Sequence, residues 1–417
     1  AAAPQRVLLL GGAGRIGTAA ATHLAQNAAG DVEIILGGRS GGKGAAAVKE
    51  VERELAGASN VRVFFRPLDW SEPGALARLL RELRVSAVLH TAGPFDSDPG
   101  ARVLEAVIAA QVPVYVDVAD PMGYIASARG MDAKAREAGT MALVSAGAFP
   151  GFSNVLAVEC ARRLCPDPAG SGRIRDVDFA YFTAGLGGSG PVNLLITNLG
   201  FGEPVPVYAD GAYAPQMTAG SASRRVPFFV EAGGPAYELV GERDVWPWPF
   251  PEAATVAEHL GITGASSTGM GTAPGIWNAI LVALVGLVPR PLWRERWFSE
   301  GLAWFSLPLV WVTDLFVRET HAMRVEVTAS DGRRCVAVQA HQSFRRCVAQ
   351  SAAEFALELL YRRQERDDDA AESGAGGWKP GVWLPEELAD DAPRRPRLLR
   401  RLTGTAGTVS CDIRVLD

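Results

Sequence analysis

The chain has 417 residues, of which 48% are hydrophobic and 21% charged, a composition typical of a globular protein with more than one domain. Its formal net charge of −5 at pH 7 argues against a nucleic-acid-binding surface. The five cysteines and five histidines are scattered without metal-ligand spacing, so we expect neither a disulfide framework nor a metal site.

The first predicted element is a strand that runs directly into glycines. Apolar residues 7–10 precede Gly11, and a helix of small residues is predicted over 18–26. Gly12, Gly14 and Gly17 match the G-x-G-x-x-G dinucleotide fingerprint, which assigns the tight turn to Gly12, the approach of a pyrophosphate to Gly14 and close helix packing to Gly17. The alternative is a Rossmann-like domain that binds nothing. The predicted phosphate-binding residues are Gly11, Gly12, Ala13, Gly14, Arg15, Ile16 and Gly17.

The end of the second predicted strand, residues 32–36, indicates which dinucleotide is bound. NAD enzymes usually carry an acid here that accepts a hydrogen bond from the ribose 2′-OH. This chain has Arg39 instead, followed by Ser40 and Lys43, which can all donate to a 2′-phosphate. The pattern therefore favours NADP, although Arg39 could also be a solvated loop arginine.

Strand and helix patterns alternate up to about residue 145, with further strands near 61–65, 86–90, 114–118 and 141–145. This alternation predicts an α/β fold class, with a doubly wound parallel Rossmann sheet over residues 1–150. Ligands of such sheets bind at the carboxyl ends of the strands. The residues expected there are Asp69, Thr91, Ala92, Gly93 and Pro94 for the cofactor, and Asp117 and Asp120 for the chemistry.

The pattern changes after residue 150. Alternating runs typical of antiparallel strands predict a second, α+β domain over 151–363, which a helix near 347–363 would close. Residues 364–417 are predicted to be a surface linker and a C-terminal extension.

The second domain contains an unusually apolar segment, 276–317, rich in tryptophan and flanked by arginines. Residues 276–288 are too few to cross a bilayer, and 298–317 contain Glu300, Pro308 and Asp314, so we do not expect a membrane span. The segment is either buried core, a dimer interface, or a peripheral contact with a membrane or a protein partner.

Four motifs in this order resemble the saccharopine dehydrogenase-like, or saccharopine reductase-type, family. They are residues 7–17, 91–95, 115–120 and 148–154. Residues 269–274 and 319–324 are similar to a branch found in cyanobacteria and plastids. The resemblance implies a Rossmann domain with an α+β domain that forms the substrate cleft and often the dimer, and NAD(P)-dependent oxidation at a C–N bond.

Three residues are candidates for catalysis. Asp117 and Asp120 could meet a substrate amine or relay a proton, and for Asp117 the alternative is a capping and loop-fixing role. His321 begins a strand of the second domain and is either a cleft residue or part of the core. Asp96 and Asp98 follow the fourth strand and would repel a substrate with several carboxylates, which favours a smaller, amine-bearing or more apolar substrate.

The sequence supports two functional hypotheses. The first is an NADP-dependent oxidoreductase acting on a C–N bond of an amino-acid-like or imine substrate, in a homodimer. The second is a scaffold or NADP-sensing protein without turnover that docks through residues 276–317. The chain starts at Ala1 rather than Met, which is compatible with a removed transit peptide. If Ala1 is such a processing site, we expect a plastid location, and if it is not, a cytoplasmic one.

Overall fold

A computed structural model describes residues 4–55, 60–167, 173–185, 191–209, 212–213, 217–220, 222–368 and 379–416. The chain forms two compact units. The first consists of Ala1–Phe152, Val348–Leu388 and Pro396–Leu402, and the second of Ser153–Cys347, Ala389–Arg395 and Thr403–Asp417.

The strands, in chain order, are β1 (Gln5–Leu10), β2 (Val32–Gly38), β3 (Val61–Pro67), β4 (Ala87–His90), β5 (Val114–Asp117), β6 (Met141–Leu143), β7 (Ile174–Ala184), β8 (Pro204–Val205), β9 (Tyr208–Ala209), β10 (Ala212–Tyr213), β11 (Met217–Thr218), β12 (Arg224–Pro227), β13 (Glu242–Pro247), β14 (Ser266–Ala273), β15 (Thr320–Ala329), β16 (Arg334–His341), β17 (Gly381–Trp383) and β18 (Thr408–Leu416).

The α-helices are α1 (Arg15–Asn27), α2 (Gly41–Leu55), α3 (Pro73–Leu83), α4 (Arg102–Ala109), α5 (Met122–Arg129), α6 (Asp132–Ala138), α7 (Phe152–Leu164), α8 (Pro191–Gly200), α9 (Pro235–Leu239), α10 (Glu252–Leu260), α11 (Gly275–Leu287), α12 (Arg290–Arg294), α13 (Arg296–Asp314), α14 (Phe344–Asp368), α15 (Pro385–Ala389) and α16 (Arg395–Thr403).

The first unit is built on a parallel sheet with the strand order β17-β6-β5-β4-β1-β2-β3. The four residues of β4 and of β5 are all buried, as are residues 7–10 of β1, because helices cover both faces of a parallel sheet. The chain leaves β1 toward β2 on one side and later returns to β4 on the other. The predicted doubly wound sheet is therefore confirmed, and its topological switch point lies between β1 and β4.

The C-terminal part of the chain contributes to both sheets, which the sequence pattern did not predict. Residues 364–417 were expected to form a linker and an extension, but β17 pairs with β6 and β18 pairs with β16. Each of these strands covers a sheet edge whose backbone groups would otherwise be unpaired. Residues 369–378, which include most of the predicted linker, lie outside the described residues.

The helix near 347–363 was expected to complete the second domain, but most of α14 belongs to the first unit. Carboxylates on α14 bind basic side chains of that unit. Glu354 Oε1 lies 2.6 Å from His23 Nε2 of α1, and Glu354 Oε2 accepts a hydrogen bond from Arg401 Nε at 2.6 Å. Burial raises the pKa of Glu354, but the bonds from His23 and the charge of Arg401 outweigh it, so the net shift is downward. A buried carboxylate needs such partners, and they fix the position of the helix.

The second unit contains a mixed sheet with the order β10-β9-β14-β7-β15-β16-β18, to which β13 and then β12 add beside β14. β7 and β14 run parallel, whereas β15, β16 and β18 are antiparallel to their neighbours. This mixed sheet confirms the predicted second domain of α+β type.

The apolar segment 276–317 contains α11, α12 and α13. The buried residues of α13 are Ser299, Ala303, Leu307 and Val310, whereas α11 has no buried residue. Trp293 of α12 is buried as well, so the segment contributes to the core through that residue and one face of α13. Across the described part of the chain, every helix is too short or too polar to cross a membrane.

The buried contact of Arg401 with Glu354 predicts a stability effect. Arg401→Ala leaves a carboxylate that is 6% exposed without its cation, so we expect the free energy of unfolding to fall by about 3 kcal/mol. Because the pKa of Glu354 is lowered, this stabilisation is present above the ordinary carboxyl pKa of 4.5 and is lost as the pH falls below it. Urea unfolding followed by circular dichroism measures the change.

The matched control is Arg136→Ala, which breaks a more exposed ion pair, that of Arg136 Nε with Asp132 Oδ2 at 2.7 Å. We expect it to cost less than about 1 kcal/mol. Equal losses in the two variants would contradict the role given to Glu354.

Candidate cofactor and active site

The candidate site lies at the carboxyl edge of the parallel sheet, where three neighbouring strands end in register. Leu10 of β1 is level with His90 of β4, and His90 is level with Asp117 of β5. The loops that follow these strands are therefore side by side, and they contain residues 11–14, 91–98 and 118–121.

The glycine loop after β1 is packed too closely for side chains at several positions. Gly11 has a φ of +78°, and a Cβ on it would lie 2.9 Å from the backbone nitrogen of Ala92. A Cβ on Gly12 would lie 2.9 Å from Leu36 Cα, and one on Gly17 only 2.3 Å from the carbonyl oxygen of Gly11. The left-handed turn thus falls on Gly11 rather than on Gly12, while Gly17 has the predicted role of allowing close helix packing.

Gly14 stands at the N terminus of α1, and its surroundings differ from those of Gly11 and Gly17. Its N–H donates to Gly11 O at 2.8 Å, and a Cβ on it would meet Gly11 O alone among the described atoms, at 3.0 Å. No described side chain caps the helix. The first turn of α1 can therefore receive an anion at its N–H groups.

The end of β2 brings Arg39 close to Asp69. Leu68 N–H donates to Gly38 O at 3.0 Å, so the ends of β2 and β3 are held together. Hydrogen bonds from Ser71 and the charge of Arg39 lower the pKa of Asp69. Arg39, Ser40 and Lys43 are all exposed, which leaves their donors available to a ligand.

The loop after β4 is anchored to β1 and then leaves open space. Thr91 donates to Leu10 O through its backbone N–H at 2.9 Å and through Oγ1 at 3.0 Å. Gly93 is exposed, and the nearest atom to a Cβ there would be 3.8 Å away on Phe95. The backbone at Gly93 is therefore uncrowded, whereas Thr91 and Ala92 before it lie directly against the glycine loop.

Asp117 is fully buried and its carboxylate accepts three hydrogen bonds. Oδ1 accepts the N–H groups of Ala119 at 3.1 Å and Ser145 at 2.8 Å, and Oδ2 accepts Tyr124 Oη–H at 2.9 Å. Burial raises the pKa of Asp117 to about 6, although these bonds oppose the shift. The contacts match the loop-fixing role, because the carboxylate ties the ends of β5 and β6 together.

The network around Asp117 extends to His90, the last residue of β4. Tyr124 Oη lies 2.8 Å from Tyr115 Oη, which lies 3.0 Å from His90 Nδ1. Burial lowers the pKa of His90 to about 4, so the ring is neutral at pH 7. The alternation of Tyr115 and Asp117 on one strand face could have indicated part of this network, but Tyr124 reaches it only through the packing of α5.

Asp120 is half-buried and close to a second carboxylate. Burial, and then the charge of Asp96, raise the pKa of Asp120 to about 7. Asp98, by contrast, is buried and accepts hydrogen bonds from Arg102 N at 2.9 Å and Arg102 Nε at 2.7 Å, which compensates its charge. Of the two acids expected to face a substrate, Asp96 is therefore the exposed one.

His321 is placed in the core of the second unit. It is fully buried, its Nδ1 lies 3.2 Å from Phe182 O, and its ring is 5.5 Å from that of Phe344. Burial and the neighbouring His341 lower its pKa to about 3. These surroundings favour the core alternative over a cleft residue.

The comparisons with known proteins agree with this geometry. Residues 7–143 match the family model described as the saccharopine dehydrogenase NADP-binding domain. The apo saccharopine dehydrogenase (L-Glu forming) of Saccharomyces cerevisiae matches over 99% of this chain and 100% of that chain, with a TM-score of 0.59 and 13% identity. No curated protein sequence matches the chain.

Matches to two further solved structures are partial. Leucoanthocyanidin reductase of Vitis vinifera, solved with NADPH, covers 33% of this chain and 48% of that chain at 21% identity and a TM-score of 0.25. UDP-glucose-4-epimerase of Stenotrophomonas maltophila, solved with NAD, matches over 27% of this chain and 36% of that chain, with 26% identity and a TM-score of 0.23.

The family model confirms the prediction of NADP as the cofactor, and the domain and fold indicate an NADP-dependent oxidoreductase. The cyanobacterial and plastid branch stays a prediction. Residues 7–143 thus match the saccharopine dehydrogenase NADP-binding domain, and the chain has the fold of saccharopine dehydrogenase.

Proposed function

We propose that this protein is an NADP-dependent oxidoreductase that acts on a C–N bond of an amino-acid-like or imine substrate. The observation that carries the proposal is the pair of carboxylates, Asp96 and Asp120, at the same sheet edge as the cofactor loops. Asp96 follows the open backbone at Gly93 by three residues. A proton-moving group and the expected nicotinamide position are thus on adjacent loops.

The residues at this edge suit NADP. The pyrophosphate would lie against Gly14 and the uncapped N terminus of α1, and the 2′-phosphate beside Arg39, Ser40 and Lys43. The open space at Gly93 would hold the nicotinamide ring. When bound, NADP supplies the hydride chemistry, so the protein has to orient the substrate and move a proton.

Asp120 is the group best suited to move that proton. Its pKa of about 7 means that both protonation states are populated near neutral pH, which is the condition for efficient general acid–base catalysis. Asp117 has the same residue type but is occupied by three donors, so we assign it to positioning of the loop that carries Asp120.

The charge at the site favours a substrate that carries an amine. Asp96 and Asp120 attract a cationic nitrogen and repel additional carboxylates. A small amino acid, or the imine formed from a keto acid and an amine, meets this requirement better than a polycarboxylate.

The test is a panel of amino acids and of keto acid–amine mixtures, assayed by NADPH absorbance with the full chain. We expect turnover with amine-bearing substrates and NADP(H). Binding of NADPH without turnover across the panel would contradict the enzymatic proposal and favour a protein that senses NADP.

The two glycines of the fingerprint give contrasting predictions. Val at position 14 meets one oxygen at 3.0 Å, so Gly14→Val should keep the fold but fill the phosphate approach and weaken NADPH binding ~100-fold or more. Val at position 17 collides with Gly11 O, so Gly17→Val should lower the thermal midpoint. Fluorescence titration and thermal unfolding measure the two effects.

Gly123→Ala is the control for both, because a Cβ there meets nothing within 4 Å. Unchanged NADPH binding in Gly14→Val would refute the fingerprint assignment.

Arg39 should determine the preference for the phosphorylated cofactor. Arg39→Ala removes a charged donor, so we expect NADPH affinity to fall by roughly 10- to 100-fold while NADH affinity stays the same. Arg53→Ala removes an exposed arginine from the far end of α2 and should change neither affinity. Equal losses for NADPH and NADH in Arg39→Ala would rule out 2′-phosphate recognition by this residue.

Asp120 predicts a pH dependence of the oxidative reaction. If Asp120 accepts the proton, kcat/KM should rise with pH through about 7, and Asp120→Asn should reduce it roughly 10²- to 10⁴-fold and abolish this transition. Asp96→Asn removes a neighbouring negative charge, so the transition should move to lower pH. A pH profile that is the same in wild type and Asp96→Asn would argue against the coupling of the two carboxylates.

A further inference from the structure

The second unit carries an apolar face that the proposed reaction does not use. Twelve of the sixteen exposed large apolar side chains in the described part of the chain lie between residues 276 and 316. They belong to α11, α13 and the turn after α13. Side chains of this size are normally scattered on a protein surface, so their concentration on one segment marks a contact surface.

The outer side of α13 is apolar throughout. Trp297, Trp304 and Trp311 recur every seven residues and therefore form one stripe, which lies along one edge of the exposed side of the helix, where the three side chains are 68%, 63% and 53% exposed. The stripe is bordered by Phe305, Leu309, Val312, Leu315 and Phe316, which are between 53% and 83% exposed.

α11 lies against α13 and extends this face. Trp277 Nε1 of α11 donates to Thr313 Oγ1 of α13 at 3.1 Å, so the start of one helix is joined to the end of the other. The sequence of α11 contains no charged residue, and that of α13 contains none between Glu300 and Asp314. We call the outer side of these two helices the tryptophan face.

We propose that the tryptophan face binds the surface of a lipid bilayer. A protein partner would require hydrogen-bonding groups and a polar rim around its apolar centre, and this face offers few. Helices satisfy their own backbone groups, so they can rest in hydrocarbon, and indole rings favour the boundary between headgroups and acyl chains. Because no described helix can cross a membrane, the contact is peripheral.

The charges beside the face are consistent with phospholipid headgroups. Three exposed arginines, Arg290, Arg294 and Arg296, and one exposed acid, Glu295, occupy the connection between α11 and α13. Arg296 is paired with Glu300 at 2.7 Å and Arg294 lies 3.6 Å from Glu203, whereas Arg290 is in no ion pair among the described residues. An anionic headgroup would therefore strengthen the binding, while the apolar side chains supply most of the binding free energy.

The test is flotation of the full-length protein with vesicles of phosphatidylcholine, alone or mixed with phosphatidylglycerol. We expect binding to both, stronger with phosphatidylglycerol. Trp304→Glu combined with Trp311→Glu should reduce the bound fraction ~10-fold or more, because two large rings can no longer leave water. Tyr237→Glu, at an aromatic residue 45% exposed on α9, is the control and should bind as wild type.

A second double variant tests whether a loss of vesicle binding comes from the face itself or from misfolding. Phe305→Gln with Phe316→Gln alters side chains that are 76% and 83% exposed and so have little packing to lose, and it should also weaken vesicle binding. Circular dichroism and thermal unfolding of each variant report whether the chain, including its second unit, is folded, independently of any enzymatic activity. The inference does not depend on the proposed reaction.

Other results would overturn the proposal. Failure of the wild type to float with either vesicle would exclude a lipid contact. Equal flotation of wild type and both double variants would exclude this face. A wild-type dimer that becomes a monomer in Trp304→Glu/Trp311→Glu, without any vesicle binding, would assign the face to an interface between two copies of the chain.

Discussion

The candidate site depends on the close approach of two backbones at the carboxyl edge of the parallel sheet. Gly11 turns with a positive φ directly against Ala92, so the loops after β1 and β4 meet without side chains between them. The register of β1 and β4 places both loops at the same level. The open backbone at Gly93 and the uncapped end of α1 follow directly on these two loops, so this contact places them next to each other.

The acidic residues after β4 and β5 show how the same side chain acquires different properties from its surroundings. Asp98 is compensated by Arg102, Asp117 is held by two backbone N–H groups and a tyrosine, and Asp120 has Asp96 as its charged neighbour. Only the last arrangement leaves a carboxyl group that changes protonation near pH 7 and is partly accessible. The difference arises from burial, neighbouring charge and hydrogen bonds rather than from residue type.

The second unit combines a mixed sheet with a helical segment of unusual surface. One side of α13 packs inward through small and aliphatic residues, while its outer side and α11 present large apolar side chains to solvent. Such a surface is costly in water, since exposed apolar area lowers solubility and favours association. This exposed area does not stabilise the fold. A peripheral contact with a bilayer would remove it from water.

The sequence by itself determined the parts of this protein that depend on local pattern. The glycine spacing, the strand before it and Arg39 after β2 predicted a Rossmann domain of NADP type, because backbone sterics and strand periodicity are encoded within a few residues. The family match of residues 7–143 confirmed this. The alternating runs after residue 150 predicted the second domain in outline.

Only the tertiary structure decided which distant residues meet. The sequence did not show that β17 and β18 complete two sheets, that Glu354 holds His23 and Arg401, or that Tyr124 reaches Asp117. It also left His321 open between cleft and core until burial favoured the core. These contacts link residues far apart in the chain or on different elements, and the burial and hydrogen bonding that set each carboxyl pKa arise only when those elements pack together.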